Sequence, residues 1–209
     1  MGEYKISKAR SLGHEGGFSN ARRDRGKRTW QGASEVHWGK KYPRIFAILD
    51  EAKACYPSDF KAMEAWLYSH KELADLIDHF YLTEFWNKHS LASFKWQTIC
   101  DKIFDMAVNC GVGEAGYVVQ RALNMANRNE VDWPDIKEDG HIGTKQTIPC
   151  LEHLIAKRGL FKTEILLGME HFHTYRTIVR NDPEQEVHFW GWFNRLLTFM
   201  GNLQMEAGR

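Results

Sequence analysis

The chain has 209 residues, 43% of them hydrophobic, enough for one substantial core or two small lobes around a cleft, which excludes a disordered or fibrous protein. Lys and Arg number 28 against 27 for Asp and Glu, so the overall charge makes no case for nucleic-acid binding. The balance is uneven, however: residues 1–44 hold eleven Lys and Arg against four acids, leaving 17 basic and 23 acidic side chains in the remainder.

After a Gly-rich, Arg-rich stretch from Gly13 to Gly39, Ile45, Ile48 and Leu49 recur at helical spacing up to about Ala54, and Tyr56-Pro57 ends that pattern. Ser69 followed by Glu72 has the form of a capping box, with Leu73, Leu76, Ile77, Phe80 and Tyr81 on one face of a helix predicted over about 70–88. Ile99, Ile103, Phe104, Ala107 and Val108 predict a core helix within 94–108, and Gly111 and Gly113 mark a turn into a second at about 113–124. The polar stretch 127–143, punctuated by Pro134, Gly140 and Gly143, reads as a loop. Helical spacing resumes over 145–157, with Pro149 either in the first turn or at a kink, and again over 160–179, with Gly159 as the C-cap between them. Asn181-Asp182-Pro183 opens a last helix rich in Phe, Trp and Leu. Few segments alternate with the period of a strand, so the expected fold is mainly α.

Cys55, Cys100, Cys110 and Cys150 are scattered, with no CxxC pair and no histidines at ligand spacing, so reduced, mostly buried thiols are expected and neither a metal nor a cofactor is called for. His14-Glu15 fails as a zincin helix because Phe18 stands where a second histidine is needed, and His171 and His173 point in different directions on a helix. Met1 to Gly13 is polar, and no stretch approaches ~18 uninterrupted apolar residues. Synthesis in the cytoplasm without a signal peptide and without stable membrane insertion is therefore expected. The basic N-terminal third suits a polyanionic polymer and suits a merely solvated face equally well.

Chemistry concentrates in residues 15–29. Glycoside hydrolysis needs a protonated carboxyl to donate to the leaving oxygen and often an ionised one to activate water. Glu15 precedes two glycines that let backbone and polysaccharide approach closely, and Phe18 and Trp30 could form an apolar wall that raises its pKa. Asp24 stands among Arg22, Arg23, Arg25, Lys27 and Arg28, whose charges would favour its ionised form. The Thr29 hydroxyl both donates and accepts, and could hold water jointly with Asp24. Spacing alone is equally satisfied by a surface Glu15, a turn Asp24 and a capping Thr29.

Glu15-Gly16-Gly17-Phe18 with Asp24, Gly26 and Thr29-Trp30-Gln31-Gly32 resembles the N-terminal signature of glycoside hydrolase family 108, N-acetylmuramidases of the phage endolysin type. Residues 104–111 with Gln120, the segment Asp139-Gly140-His141-Ile142-Gly143, and the closing stretches 180–185 and 191–195 resemble that family's companion peptidoglycan-binding region. The resemblance implies a lysozyme-like helical fold, with a catalytic lobe over 1–90 packed on a helical peptidoglycan-binding lobe over 91–209 around a substrate cleft. It implies cleavage of the β-1,4 bond between N-acetylmuramic acid and N-acetylglucosamine, with Glu15 as acid and Asp24 and Thr29 as partners. Trp30 and Gln31 are then expected at the substrate, and the amides of Asn109 and Gln120 could reach the sugar acetamido groups. Peptidoglycan glycan strands are the expected partner of a monomeric enzyme that reaches the periplasm from the host cytoplasm after holin release. The arginines flanking Asp24 depart from the small and proline residues common there in the family. An inverting hydrolase is the leading reading; a lytic transglycosylase working with the Glu alone and a non-catalytic wall-binding module are the alternatives.

Overall fold

Where apolar residues recur at three- and four-residue spacing the chain forms helices, and the protein is mainly helical with little sheet. The computed structural model describes residues 1–13, 17–19 and 28–200. Two compact units emerge, Ala9–Glu84 on one hand and Met1–Lys8 with Phe85–Arg209 on the other.

The first helix, α1, spans Tyr4–Leu12. Next come three strands of two residues each, β1 (Phe18–Ser19), β2 (Thr29–Trp30) and β3 (Ala33–Ser34), forming an antiparallel sheet in that order. Strands this short carry no visible alternation, which is why periodicity does not announce them. Gln31 and Gly32 link β2 to β3 with φ of 43° and 80°, the two positive values that a type I′ hairpin turn requires. The Tyr81 hydroxyl donates to the Gln31 carbonyl at 2.7 Å and so supports the strained first turn residue.

Helices α2 (Glu35–Trp38), α3 (Pro43–Cys55), α4 (Phe60–Ser69) and α5 (Lys71–Tyr81) complete this unit. Ile45, Ile48 and Leu49 of α3, Met63 and Leu67 of α4, and Leu73, Ile77 and Phe80 of α5 are buried as its core. The helix predicted over 70–88 is shorter: its N-cap is His70, whose Nδ1 accepts from Leu73 N–H, while Ser69 closes α4 and bonds the Trp66 carbonyl. After Tyr81 the helix widens into a π turn over Leu82–Trp86 and then a 3₁₀ turn over Asn87–His89. Within the π turn the Glu84 carboxylate is buried and receives the Tyr42 hydroxyl at 2.5 Å and Lys41 Nζ at 2.7 Å.

In the larger unit, α6 (Gln97–Cys110) and α7 (Val112–Ala126) are joined at Gly111, whose φ of 94° is the break that the sequence predicts there. The loop that follows docks back on α7 at Gly140, and a Cβ added at Gly116 would overlap the Gly140 carbonyl oxygen, so only glycine fits. Helix α8 (Thr147–Arg158) carries Pro149 in its first turn, where the missing N–H costs no helical bond, and Gly159 (φ 88°) separates it from α9 (Leu160–Asn181). Asp182 caps a 3₁₀ turn, Pro183–His188, ahead of α10 (Phe189–Thr198). All four cysteines are free thiols, but only Cys100 is fully buried; Cys55 is exposed. Among the described residues no helix is long and apolar enough to cross a membrane.

Candidate active site

Glu15 and Asp24 lie outside the described residues; what the structure defines is their frame. Residues 20–28 connect β1 to β2, and the register Ser19 opposite Thr29 makes that connection leave and return side by side. Thr29 is thus held at the exact step where the chain segment containing Asp24 re-enters the sheet.

The register also sorts the sheet by face, since directly opposed residues share one side. Ser19, Thr29 and Ser34 form a row of hydroxyls, all half-buried, and Phe18, Trp30 and Ala33 form the apolar face. Spacing in the sequence does not reveal the two serines beside Thr29, because it takes the strand register to align them. Ser34 also caps α2, with its Oγ 2.8 Å from His37 Nδ1.

Trp30 is 1% exposed, with its ring centroid 4.9 Å from that of Tyr68, so it faces the interior in this structure. Gln31 is the first residue of the hairpin turn. Of the other large aromatic residues, Tyr42 bonds Glu84, Trp86 packs against Tyr4 and Phe104, and half-buried Trp192 stacks on Tyr175.

Helix α4, invisible to the capping-box reading, presents one stripe to this sheet. Phe60 lies 6.1 Å from the Phe18 ring, Glu64 Oε1 accepts from Phe18 N–H at 3.3 Å, and Tyr68 meets Trp30. These residues are four apart, as one helical face demands. A Cβ at Gly17 would overlap the Glu64 carboxylate and lie 2.9 Å from the Tyr68 hydroxyl, which gives the second glycine of Glu-Gly-Gly a steric reason. Asp59 as N-cap, with Phe60, Met63 and Leu67 at three- and four-residue spacing, is the signal in the sequence that locates α4.

Arg28 sits immediately before β2 and is already committed. It donates to both oxygens of Glu35, at 3.0 and 2.7 Å, and also pairs with Asp50. These carboxylates, Glu35 first, hold its pKa above the ordinary arginine value. Of the cations flanking Asp24 in sequence, Arg28 therefore has two anions of its own.

The two amides proposed for the sugar acetamido groups make internal bonds. Asn109 Nδ2 donates to the Tyr175 hydroxyl at 2.5 Å. Gln120 is buried; its Nε2 amide protons go to Asp139 Oδ1 at 2.9 Å and the His141 carbonyl at 3.0 Å, and its oxygen receives Asp139 N–H and Gly140 N–H at 3.0 and 2.8 Å. Those four bonds fill the capacity of a carboxamide. The Asp139–Gly143 segment is accordingly a loop fastened to α7.

Residues 9–111 match the family model of glycosyl hydrolase 108. That segment, about half of the chain, is a glycosyl hydrolase 108 domain. It is a glycoside hydrolase acting on peptidoglycan. The matched segment contains Glu15, Asp24, Thr29, the whole three-stranded sheet and the α4 stripe, and runs through α6 to Gly111. Neither Gln120 nor the 139–143 loop falls inside it. No curated protein matches the chain.

Proposed function

We propose that this glycosyl hydrolase 108 enzyme is a lysozyme that hydrolyses the β-1,4 bond between N-acetylmuramic acid and N-acetylglucosamine. Glu15 protonates the glycosidic oxygen, and water held by Asp24 and Thr29 attacks the opposite face of the sugar. The observation that carries this reading is the β1–β2 register: Thr29 stands in a hydroxyl row at the end of the chain segment that bears Asp24, while Glu15 lies just before β1. A carboxyl acid on one side and a water-binding pair on the other is the division of labour an inverting glycosidase uses. In this reading residues 91–209 hold the wall.

Replacing Glu15 with Gln removes the proton and little volume, so it should abolish turbidity clearing of peptidoglycan while pelleting with sacculi persists. Retained lysis would sink the assignment. Mass spectrometry of the products distinguishes the chemistry: hydrolysis leaves reducing ends, whereas exclusively 1,6-anhydro ends would make the enzyme a lytic transglycosylase and strip Asp24 of its role.

The same reading makes the protein a phage endolysin, a monomer produced in the host cytoplasm and admitted to the wall by a holin. Expression in a bacterial host should be tolerated alone and lytic when a holin is co-expressed; lysis without one would argue for export by another route.

A further inference from the structure

We infer that Glu64 is a positioning residue for the catalytic segment, tethering the backbone two and three residues after Glu15 to helix α4. The inference rests on the reading of Glu15 as the acid, and adds a residue outside the Glu-Asp-Thr pattern.

The geometry is specific. Glu64 Oε1 accepts from Phe18 N–H at 3.3 Å, and the same oxygen occupies the space where a Cβ on residue 17 would stand. A carboxylate can approach the main chain this closely only at glycine. Phe60 and Tyr68, one turn to either side of Glu64, meet Phe18 and its cross-strand partner Trp30, so the carboxylate is the polar member of a three-point clamp on the sheet. Phe60 and Tyr68 are each more than half exposed, so the clamp draws little from hydrophobic burial at those two residues. β1 contributes only two residues to the sheet, and a strand so short has few ladder bonds with which to hold its own direction. A charge-assisted bond from a helix supplies what the sheet lacks. Proton transfer depends steeply on the placement of the acid, since displacement of a catalytic group by about 1 Å can cost 10²-fold in rate.

The test is steady-state kinetics on soluble peptidoglycan glycan fragments, with thermal midpoints measured alongside. Glu64→Ala should lower kcat by about tenfold or more with KM nearly unchanged. Glu64→Gln, which keeps an acceptor oxygen in place, should restore kcat to within about threefold of the parent. Gly17→Ala should also lower kcat, and the Gly17→Ala/Glu64→Ala pair should be no worse than the poorer single variant, because removing the carboxylate vacates the space the new methyl needs. Full kcat in folded Glu64→Ala would overturn the inference. So would a folded Glu64→Gln as inactive as Glu15→Gln, which would make the carboxyl part of the chemistry itself. An active Glu15→Gln would bring down the reading of Glu15 and the tether together, whereas an inactive Glu15→Gln beside an active Glu64→Ala removes only the tether.

Discussion

The two units differ in how many polar groups they bury. In Ala9–Glu84 the described ion pairs are partly exposed, as in Arg28 with Glu35 and Asp50 or Arg44 with Glu51 and Glu72, and Glu84 is the buried exception. The candidate chemistry there stands on two-residue strands and their connections. The larger unit has partly exposed pairs too, such as Arg121 with Glu114, but it also buries many polar groups: Asp105 pairs with Arg195 at 2.9 Å, and Lys102, His89, His171 and Gln120 are all buried. The difference teaches that residue type alone does not separate a ligand from a keystone. Gln120 has the chemistry to bind an acetamido group, but every bond it can make is already made within the loop it fastens.

The largest expected effects probe that fastening. Gly116→Ala drives a methyl into the Gly140 carbonyl, which as backbone cannot swing aside, and should cost about 3 kcal/mol or more. Gln120→Leu strands two backbone N–H groups and should cost about 2–3 kcal/mol. Urea unfolding measures both. If Gln120→Leu left stability untouched and instead weakened pelleting with sacculi, Gln120 would be a substrate residue and the contrast would break.

The buried histidines should give the larger unit an acid sensitivity. Burial lowers the His89 pKa to about 4 and that of His171 to about 3. His89 Nε2 lies 2.8 Å from the Val112 carbonyl, and the His171 Nε2 lies 3.4 Å from Cys110 Sγ. Because both values fall below the ~6.5 of an unfolded histidine, the unfolded chain takes up protons first as pH drops. Stability present above pH 6.5 should therefore be lost as pH falls through about 4 and, for His171, on to about 3, at up to about 1.4 kcal/mol per pH unit for each histidine. His89→Gln, which can still donate to Val112, should flatten the slope; an unchanged slope would mean that His89 does not set it.

Helices and their breaks were legible where apolar residues recur at helical spacing between glycine stops. The spacing of Ile99, Ile103 and Ala107, and the glycines at 111 and 159, placed α6 to α9 closely. What stayed hidden depends on neighbours distant in sequence. The sheet needs the pairing of Ser19, Thr29 and Ser34, and α4 shows its purpose only when Glu64 meets a backbone 46 residues earlier. Of the candidate site, the sequence supplied the motif and its order; the hydroxyl row and the α4 clamp come from register and packing, which local spacing does not encode.

A smaller effect of opposite sign is expected at Lys102. Its Nζ is buried on α6 without a hydrogen-bond partner, and burial pulls its pKa down to about 8. A cation held this way opposes folding while protonated, so Lys102→Met should raise stability by about 1–2 kcal/mol at pH 7. The parent protein should recover part of that gain between pH 8 and 10.5, where the folded state releases the proton before the unfolded one does. A loss of stability on substitution would show that Lys102 serves Glu164 or Asp105, the acids that act on it electrostatically.

The smallest effect is expected where the ion pairs are wet. Arg28 is 20% exposed, Glu35 30% and Asp50 64%, so solvent and salt screen much of their attraction. Arg28→Met should cost about 1 kcal/mol at low salt and measurably less at 0.5 M salt. Because arginine stays charged throughout the accessible range, its own titration adds no pH dependence. Activity should suffer more than stability, since Arg28 stands immediately before β2, next to Thr29. A stability loss above about 2 kcal/mol that persisted at high salt would place the strength of this network inside the fold, as in the larger unit, and the two units would no longer differ in kind.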